Sequence, residues 1–202
     1  MSFLLRGVLI GLIFGVSVGA VGAMTVQRTY AGGIRAGLMT GLGASVADCL
    51  YAAVGAFGLT LISDFLLQWQ RILRLGGGIL LLVMGCFMLL RKPKPEAEAH
   101  SSSTVIGVRM FLTSFVVGIT NPAAILTFLL AFSSLGLSRL TGAEGFMVVA
   151  GVFIGTFAWW LALSFAVSLL KQKTGERILP MLNRLCGIAL ILFGGIVIFG
   201  KG

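Results

Sequence analysis

Six apolar runs alternate with short polar breaks along the chain, at about Phe3–Met24, Ala36–Ile62, Ile72–Leu90, Val108–Phe132, Phe146–Leu170 and Leu182–Gly200. Each approaches or exceeds the roughly 20 apolar residues a helix needs to cross the hydrocarbon core of a bilayer. The pattern predicts six transmembrane helices. The first run also has marks of a secretory signal, since Arg6 precedes an apolar stretch and Val21-Gly22-Ala23 resembles a cleavage site. Its apolar stretch is longer than the ~7–15 residues of a signal core, and a matching run opens the second half, so it is read as a span.

One strongly polar stretch, from Arg91 through Lys-Pro-Lys-Pro-Glu-Ala-Glu-Ala to His100 and Ser103, divides the runs three and three. Proline, charge and serine in succession mark a solvated linker. The expected organisation is a first three-helix unit over 1–92, a polar linker over 93–107 and a second unit over 108–202. His100 reads as an exposed linker residue. Three spans per unit force the two units into opposite orientations, and a shift of 110 residues pairs Gly41 with Gly151, Ala52 with Ala162, Gly77 with Gly187 and Gly85 with Gly195. The expected fold is therefore an all-α integral membrane bundle of two inverted three-helix repeats, with solute sites near the midplane between them.

Small residues follow helical rows. Gly7, Gly11, Gly15 and Gly19 are four apart in the first run, and Gly37, Gly41, Ser45, Asp48 and Ala52 share one face of the second. Gly151, Gly155, Ala158 and Ala162 repeat the row in the fifth. Such stripes let helix backbones approach closely in lipid and predict a tight bundle.

Composition closes off the soluble alternatives. Charged residues are 10% of the chain and mean hydropathy is +1.08, against about 25% charged residues in soluble domains. The net charge of +9 does not indicate nucleic acid, because the 15 cations sit mostly between apolar runs rather than on a basic face. Across six spans, Arg6, Arg71, Arg74, Arg139 and Lys201 fall on one side, and ten cations, Arg28, Arg35, Arg109 and Arg184 among them, on the other. The positive-inside rule makes the richer side cytoplasmic and puts both termini outside the cytoplasm, in a cell inner (plasma) membrane. Cys49, Cys86 and Cys186 lie singly inside apolar runs, without the spacing of a zinc site or disulfide framework. No cofactor is expected.

Of six acids, only Asp48 lies deep within a run. A carboxylate there costs roughly 2.5–3.5 kcal/mol on insertion scales, so it must be neutral, paired or facing water. A group able to hold a proton in one state and a cation in another suits a coupled transporter; the structural alternative is a protonated acid bonded to a neighbouring helix. Two interruptions accompany it: Gly19-Ala20-Val21-Gly22 in the first run, and Thr120-Asn121-Pro122 in the fourth, where proline removes a backbone donor. Each opens its half. A broken helix exposes N–H groups at a positive dipole end, suited to a carboxylate; a packing kink is the alternative. Arg28 and Arg35 are expected near the cytoplasmic end of the first hairpin. Trp159 and Trp160 lie deep in the fifth run, as cavity lining or as packing, and Trp69 reads as an interfacial anchor.

The run Met24-Thr-Val-Gln-Arg-Thr-Tyr-Ala-Gly-Gly-Ile-Arg-Ala-Gly-Leu, with Gly41-Leu-Gly-Ala-Ser-Val-Ala-Asp-Cys-Leu-Tyr and Ala56-Phe-Gly-Leu, resembles the lysine and homoserine exporter (LysE-type) family. Phe111-Leu-Thr-Ser-Phe and Thr120-Asn-Pro-Ala-Ala-Ile-Leu-Thr-Phe are similar to its second signature. The resemblance covers all six runs. It implies an inner-membrane efflux protein for amino acids or related small solutes, driven by proton or sodium antiport. Two departures stand out: Ala20 replaces the proline of the family's Gly-Pro-x-Gly, and Ala123 follows Pro122 where many members carry lysine. Lysine is therefore not assumed as the substrate.

The expected function is a secondary exporter working by alternating access, not an enzyme. Its solute would bind at Gly19, Ala20, Gly22, Asn121, Pro122 and Asp48, with Asp48 also carrying the coupling ion. The other readings are an inorganic-ion or metal exporter, poorly supplied with ligands by one histidine and one intramembrane acid, and a membrane thiol–disulfide electron carrier, whose cysteine pair is missing from equivalent positions in the halves. The expected partners are a small-molecule substrate, lipid and the coupling ion, with a homo-oligomer left open.

Overall fold

The computed structural model describes residues 2–16, 19–58, 68–90, 103–121, 142–175 and 178–199, with Phe128, Ala131, Phe132, Leu135, Leu137 and Leu140 between them. Seven helices make up these residues: α1 Phe3–Val16, α2 Ala20–Gly32, α3 Ile34–Phe57, α4 Gln70–Leu90, α5 Ser103–Ile119, α6 Gly142–Thr174 and α7 Leu179–Phe199. Linker residues 93–102, His100 among them, and Pro122 lie outside the described residues. The second unit's helix begins at Ser103, five residues before the expected start, because no glycine or proline occurs between Ser101 and Ile106.

Among the described residues, α3, α6 and α7 are long and apolar enough to cross a membrane, and α1 with α2 forms a fourth span when the bent pair is counted as one. α4 and α5 contribute shorter apolar stretches, Leu75–Leu90 and Val105–Ile119.

The first apolar run is not one helix. α1 and α2 meet at 78°, and Gly19 is the extended N-cap of α2. The interruption thus falls just before the Gly19–Gly22 run, whose other residues form the first turn of α2. The segment from Thr25 to Arg28, beyond the expected end of the first run at Met24, is helical and continues to Gly32. No proline or glycine lies between Ala23 and Ala31 to stop it. Gly33 then takes φ +85°, ψ 179° and turns the chain into α3, a conformation essentially restricted to glycine. Gly58, left-handed at φ +60°, ends α3 and donates its N–H to the Val54 carbonyl.

Glycines set the helix packing. A Cβ on Gly7 or Gly11 would fall on the Val148 or Val152 carbonyl of α6, and one on Gly151 or Gly155 on the Leu4 or Val8 carbonyl of α1. The two backbones are in direct contact along this seam. Gly78 and Gly85 of α4 meet Gly194 and Gly187 of α7 in the same way. Gly43 brings α3 against the Phe111 carbonyl of α5, and Gly41 receives the Trp160 side chain of α6. The row in the fifth run stops at Gly155, since Ala158 and Ala162 are exposed. α3 lies at the centre, with Ala44, Ala47, Tyr51, Ala52 and Ala56 all buried. On the periphery, α4 and α7 present Ile72, Ile79, Phe87, Leu185, Leu192 and Phe199 outward. An apolar outer surface is what lipid requires and water does not tolerate.

Candidate functional site

The N-terminal turn of α2, the end of α5, and the middles of α3 and α6 converge on one cavity of about 570 Å³. Gly19, Ala20 and Gly22 line it, as do Asp48 and Asn121. These five residues come from three separate stretches of sequence, and the fold brings them to one space. Pro122 lies outside the described residues.

The cavity has polar and apolar sectors. Gly19 starts α2 with no side-chain hydrogen-bond cap, so the helix begins with backbone N–H groups lacking intrahelical acceptors and with the positive end of its dipole. A Cβ on Gly19 or Gly22 would meet nothing within 4 Å; this turn borders open space. Asp48, half-buried on α3, supplies a carboxylate. Trp160 is buried at 5% exposure, lines the cavity, and its indole N–H has no hydrogen-bond partner among the described residues. Trp159 instead packs its Cβ and ring against Gly15. Of the two tryptophans, Trp160 is the lining residue. Phe14, Leu81, Phe128 and Phe193 form the apolar wall, and the Phe14 and Phe128 rings stack with centroids 4.1 Å apart.

The end of α5 is held by a residue the sequence reading did not single out. Tyr51, 2% exposed, donates its hydroxyl to the Ile119 carbonyl at 2.6 Å and the Gly118 carbonyl at 3.2 Å. The last carbonyls of a helix have no partner within it, and in a membrane interior no water replaces them. Tyr51 stands three residues after Asp48, on the same helix face, which is the signal that could have found it. One face of α3 therefore carries both the cavity's acid and the clasp on the end of α5. Thr120 bonds back to Val116 at 2.7 Å and packs on Gly77 of α4.

Arg28 lies in α2, four residues before its end at Gly32. From within α2 it donates to Thr40 Oγ1 of α3 at 3.1 Å, and to the Met110 carbonyl and Thr113 Oγ1 of α5 at 3.0 and 2.7 Å. Continuity of the helix past Met24 turns this cation into the bundle. Arg35 is exposed. Cys49, Cys86 and Cys186 are free thiols, and among the described residues no three of His, Cys, Asp and Glu gather as a metal-ligand group.

Comparison with known proteins matches residues 12–200 to the family described as LysE type translocator. The uncharacterized membrane protein YahN of Escherichia coli (strain K12) is 29% identical over 173 residues, covering 84% of this chain and 77% of that protein. The putative amino acid efflux protein YcgF of Bacillus subtilis (strain 168) is 26% identical over 200 residues, covering 96% of this chain and 94% of that protein. A threonine efflux protein of Salmonella typhi is 27% identical over 175 residues, covering 84% of each. No solved structure matches the chain.

Proposed function

The chain belongs to the LysE type translocator family, and from that membership and the chemistry of the cavity we propose that it is a secondary active exporter of amino acids or similar small solutes. It is a multi-pass membrane protein and a transporter rather than an enzyme. Two of its relatives are named for amino acid or threonine efflux.

The observation that carries the proposal is the meeting of an uncapped helix start, an intramembrane carboxylate and an unpartnered indole N–H in one cavity. An α-amino acid has a carboxylate and an ammonium at opposite ends of one carbon. The first turn of α2 and the Trp160 N–H suit the carboxylate; Asp48 suits the ammonium. The Phe14, Leu81, Phe128 and Phe193 wall takes the side chain. Asp48 also serves as the coupling group, alternating between a proton or sodium and the solute. With Ala20 in place of proline, Gly19 is still the N-cap of α2.

Two features support six spans arranged as inverted repeats. α1 and α2 act as one broken span, which with α3 to α7 makes six, and residues from every one of the six line the cavity. The packing partners also exchange between halves. α1 lies on α6 as α5 lies on α3, while α3 packs on α6 and α4 on α7, each span against its own counterpart. A pseudo-two-fold axis in the membrane plane generates this pattern. The cation distribution puts the termini outside the cytoplasm.

Efflux of a panel of amino acids from proteoliposomes, under imposed proton or sodium gradients, tests the proposal. Wild type is expected to move at least one amino acid against its gradient, and Asp48→Asn to lose the dependence on the driving ion. Gradient-driven efflux undiminished in Asp48→Asn removes Asp48 from the mechanism, and no movement of any amino acid by the wild type removes the substrate class.

A further inference from the structure

Three polar anchors on the far half of α2, Gln27, Arg28 and Tyr30, bond to four other helices of the bundle. Gln27 donates to Asn183 Oδ1 of α7 at 3.4 Å, and Asn183 in turn donates to the Met88 carbonyl of α4. Arg28 bonds Thr40 of α3 and both Met110 and Thr113 of α5. Tyr30, fully buried, bonds Thr174 Oγ1 at 2.7 Å and the Gly175 carbonyl at the end of α6. One short helix is thus tied directly to α3, α5, α6 and α7, and through Asn183 to α4, by side chains within four residues.

These ties all lie on the same side of the cavity. In α2 they follow the lining residue Gly22 by five to eight positions, about 8–12 Å at the helical rise. In α6, Thr174 lies 14 residues past Trp160, about 21 Å; in α7, Asn183 lies ten before Phe193, about 15 Å. Met88 follows Leu81 in α4, while Thr40 precedes Ala44 in α3 and Thr113 precedes Val117 in α5. The direction reverses from one helix to the next, as it must for a single layer across alternating helices. Below the cavity, therefore, lies one polar layer, centred on α2.

We propose that this layer is a gate: Gln27, Arg28 and Tyr30 latch α2 against the other helices and close the cavity on that side. The inference rests on the transport reading and adds to it the element that moves. α2 is built to move as a unit, because it runs between Gly19, extended and uncapped, and Gly33, at φ +85°. A Cβ at either glycine would meet nothing within 4 Å, so both ends are unobstructed. Hinges of this kind absorb backbone change at element ends. Alternating access needs such a two-state element, closed on one side while the site is open on the other. On the cation count the gated side is cytoplasmic.

Removing Arg28 leaves its partners satisfied. Thr40 keeps its bond to the Ala36 carbonyl, Thr113 keeps its bond to the Arg109 carbonyl, and the Met110 carbonyl still accepts from Ser114. No acceptor hydroxyl is orphaned when Arg28 is removed.

The experiment is side-specific thiol labelling without substrate, so that it reads the gate whether or not the transported solute has been found. Cys49, Cys86 and Cys186 are replaced by alanine, and Ala44→Cys, on the cavity wall, serves as reporter. A membrane-impermeant maleimide is applied to right-side-out and inside-out vesicles. With the latch intact, labelling is expected from the side away from the layer. Arg28→Ala is expected to raise labelling from the latch side at least about tenfold, the effect of losing a hydrogen bond to a charged group. Tyr30→Phe, which keeps the ring and its packing, is expected to act in the same direction, and Arg28→Lys to restore part of the closure. The proposal is overturned if wild type labels from the latch side, or if Arg28→Ala and Tyr30→Phe both leave latch-side labelling unchanged. Failed amino acid efflux together with latch-dependent labelling would instead count against the substrate class alone.

Discussion

Placing a methyl group on Gly151 tests the seam on which the bundle is built. Its Cβ would lie on the Leu4 carbonyl and 2.9 Å from both Gly7 Cα and Val8 N of α1. Carbon atoms pack at about 3.5–4.0 Å, so α1 must shift by roughly 0.6–1 Å. Every atom in the way is backbone, and no rotamer change can relieve the clash. Overpacking of this kind costs about 1–3 kcal/mol, while exchanging a mid-helix glycine for alanine gains at most about 1 kcal/mol of helix propensity. Gly151→Ala is therefore expected to lose about 1–2 kcal/mol. Gly195→Ala is the control: also within a helix, with nothing within 4 Å of its Cβ, it is expected to be neutral or to gain up to about 1 kcal/mol. Reversible unfolding of the purified protein in mixed micelles, titrated with a denaturing detergent, measures both. The two variants should differ by roughly 2 kcal/mol, more than tenfold in the folding equilibrium. If Gly151→Ala is as stable as Gly195→Ala, the direct backbone contact between α1 and α6 is refuted.

Other expectations follow from particular contacts. Tyr51→Phe removes the only hydroxyl reaching the Gly118 and Ile119 carbonyls among the described residues and should cost about 1–3 kcal/mol in the same titration. Unchanged stability would mean that the end of α5 is satisfied some other way. Gly33→Ala forces a side chain into φ +85°, ψ 179° and should destabilise by about 1–3 kcal/mol, with α2 displaced, whereas Gly22→Ala, bordering open space, should leave stability unaltered and reduce solute affinity. A measured Kd for the transported amino acid that is unmoved in Gly22→Ala would place the solute away from the α2 turn. Replacing Cys49, Cys86 and Cys186 together by alanine should leave gradient-driven efflux intact; its loss would revive the thiol-exchange reading.

The membrane character of the chain and the positions of its main helices were legible in the sequence, because the periods of apolar and polar residues follow directly from lipid contact. Asp48 stood out for the same reason: an acid in an apolar run is costly wherever its neighbours lie. The glycine rows Gly7-Gly11-Gly15 and Gly151-Gly155 announced close packing, but a row carries no address. Only the fold shows that these two rows meet each other, and that Gly43 meets α5.

Tertiary structure decided what the polar residues of α2 do. Arg28 in a sequence is one more cation beside an apolar run, and counting it toward topology is reasonable. Its hydrogen bonds to Thr40, Met110 and Thr113 join residues up to 85 positions apart, and no local period encodes a contact at that separation. Tyr51 and Trp160 are alike in this: each reads as an aromatic in an apolar helix until the end of α5 and the cavity are placed beside it. The sequence determined that the chain lies in a membrane and that one buried acid needs a reason, since burial is a property of each residue and its near neighbours. The tertiary structure decided which distant residues share that acid's cavity and which are bonded together beside it, since hydrogen bonds between helices depend on where distant segments come together.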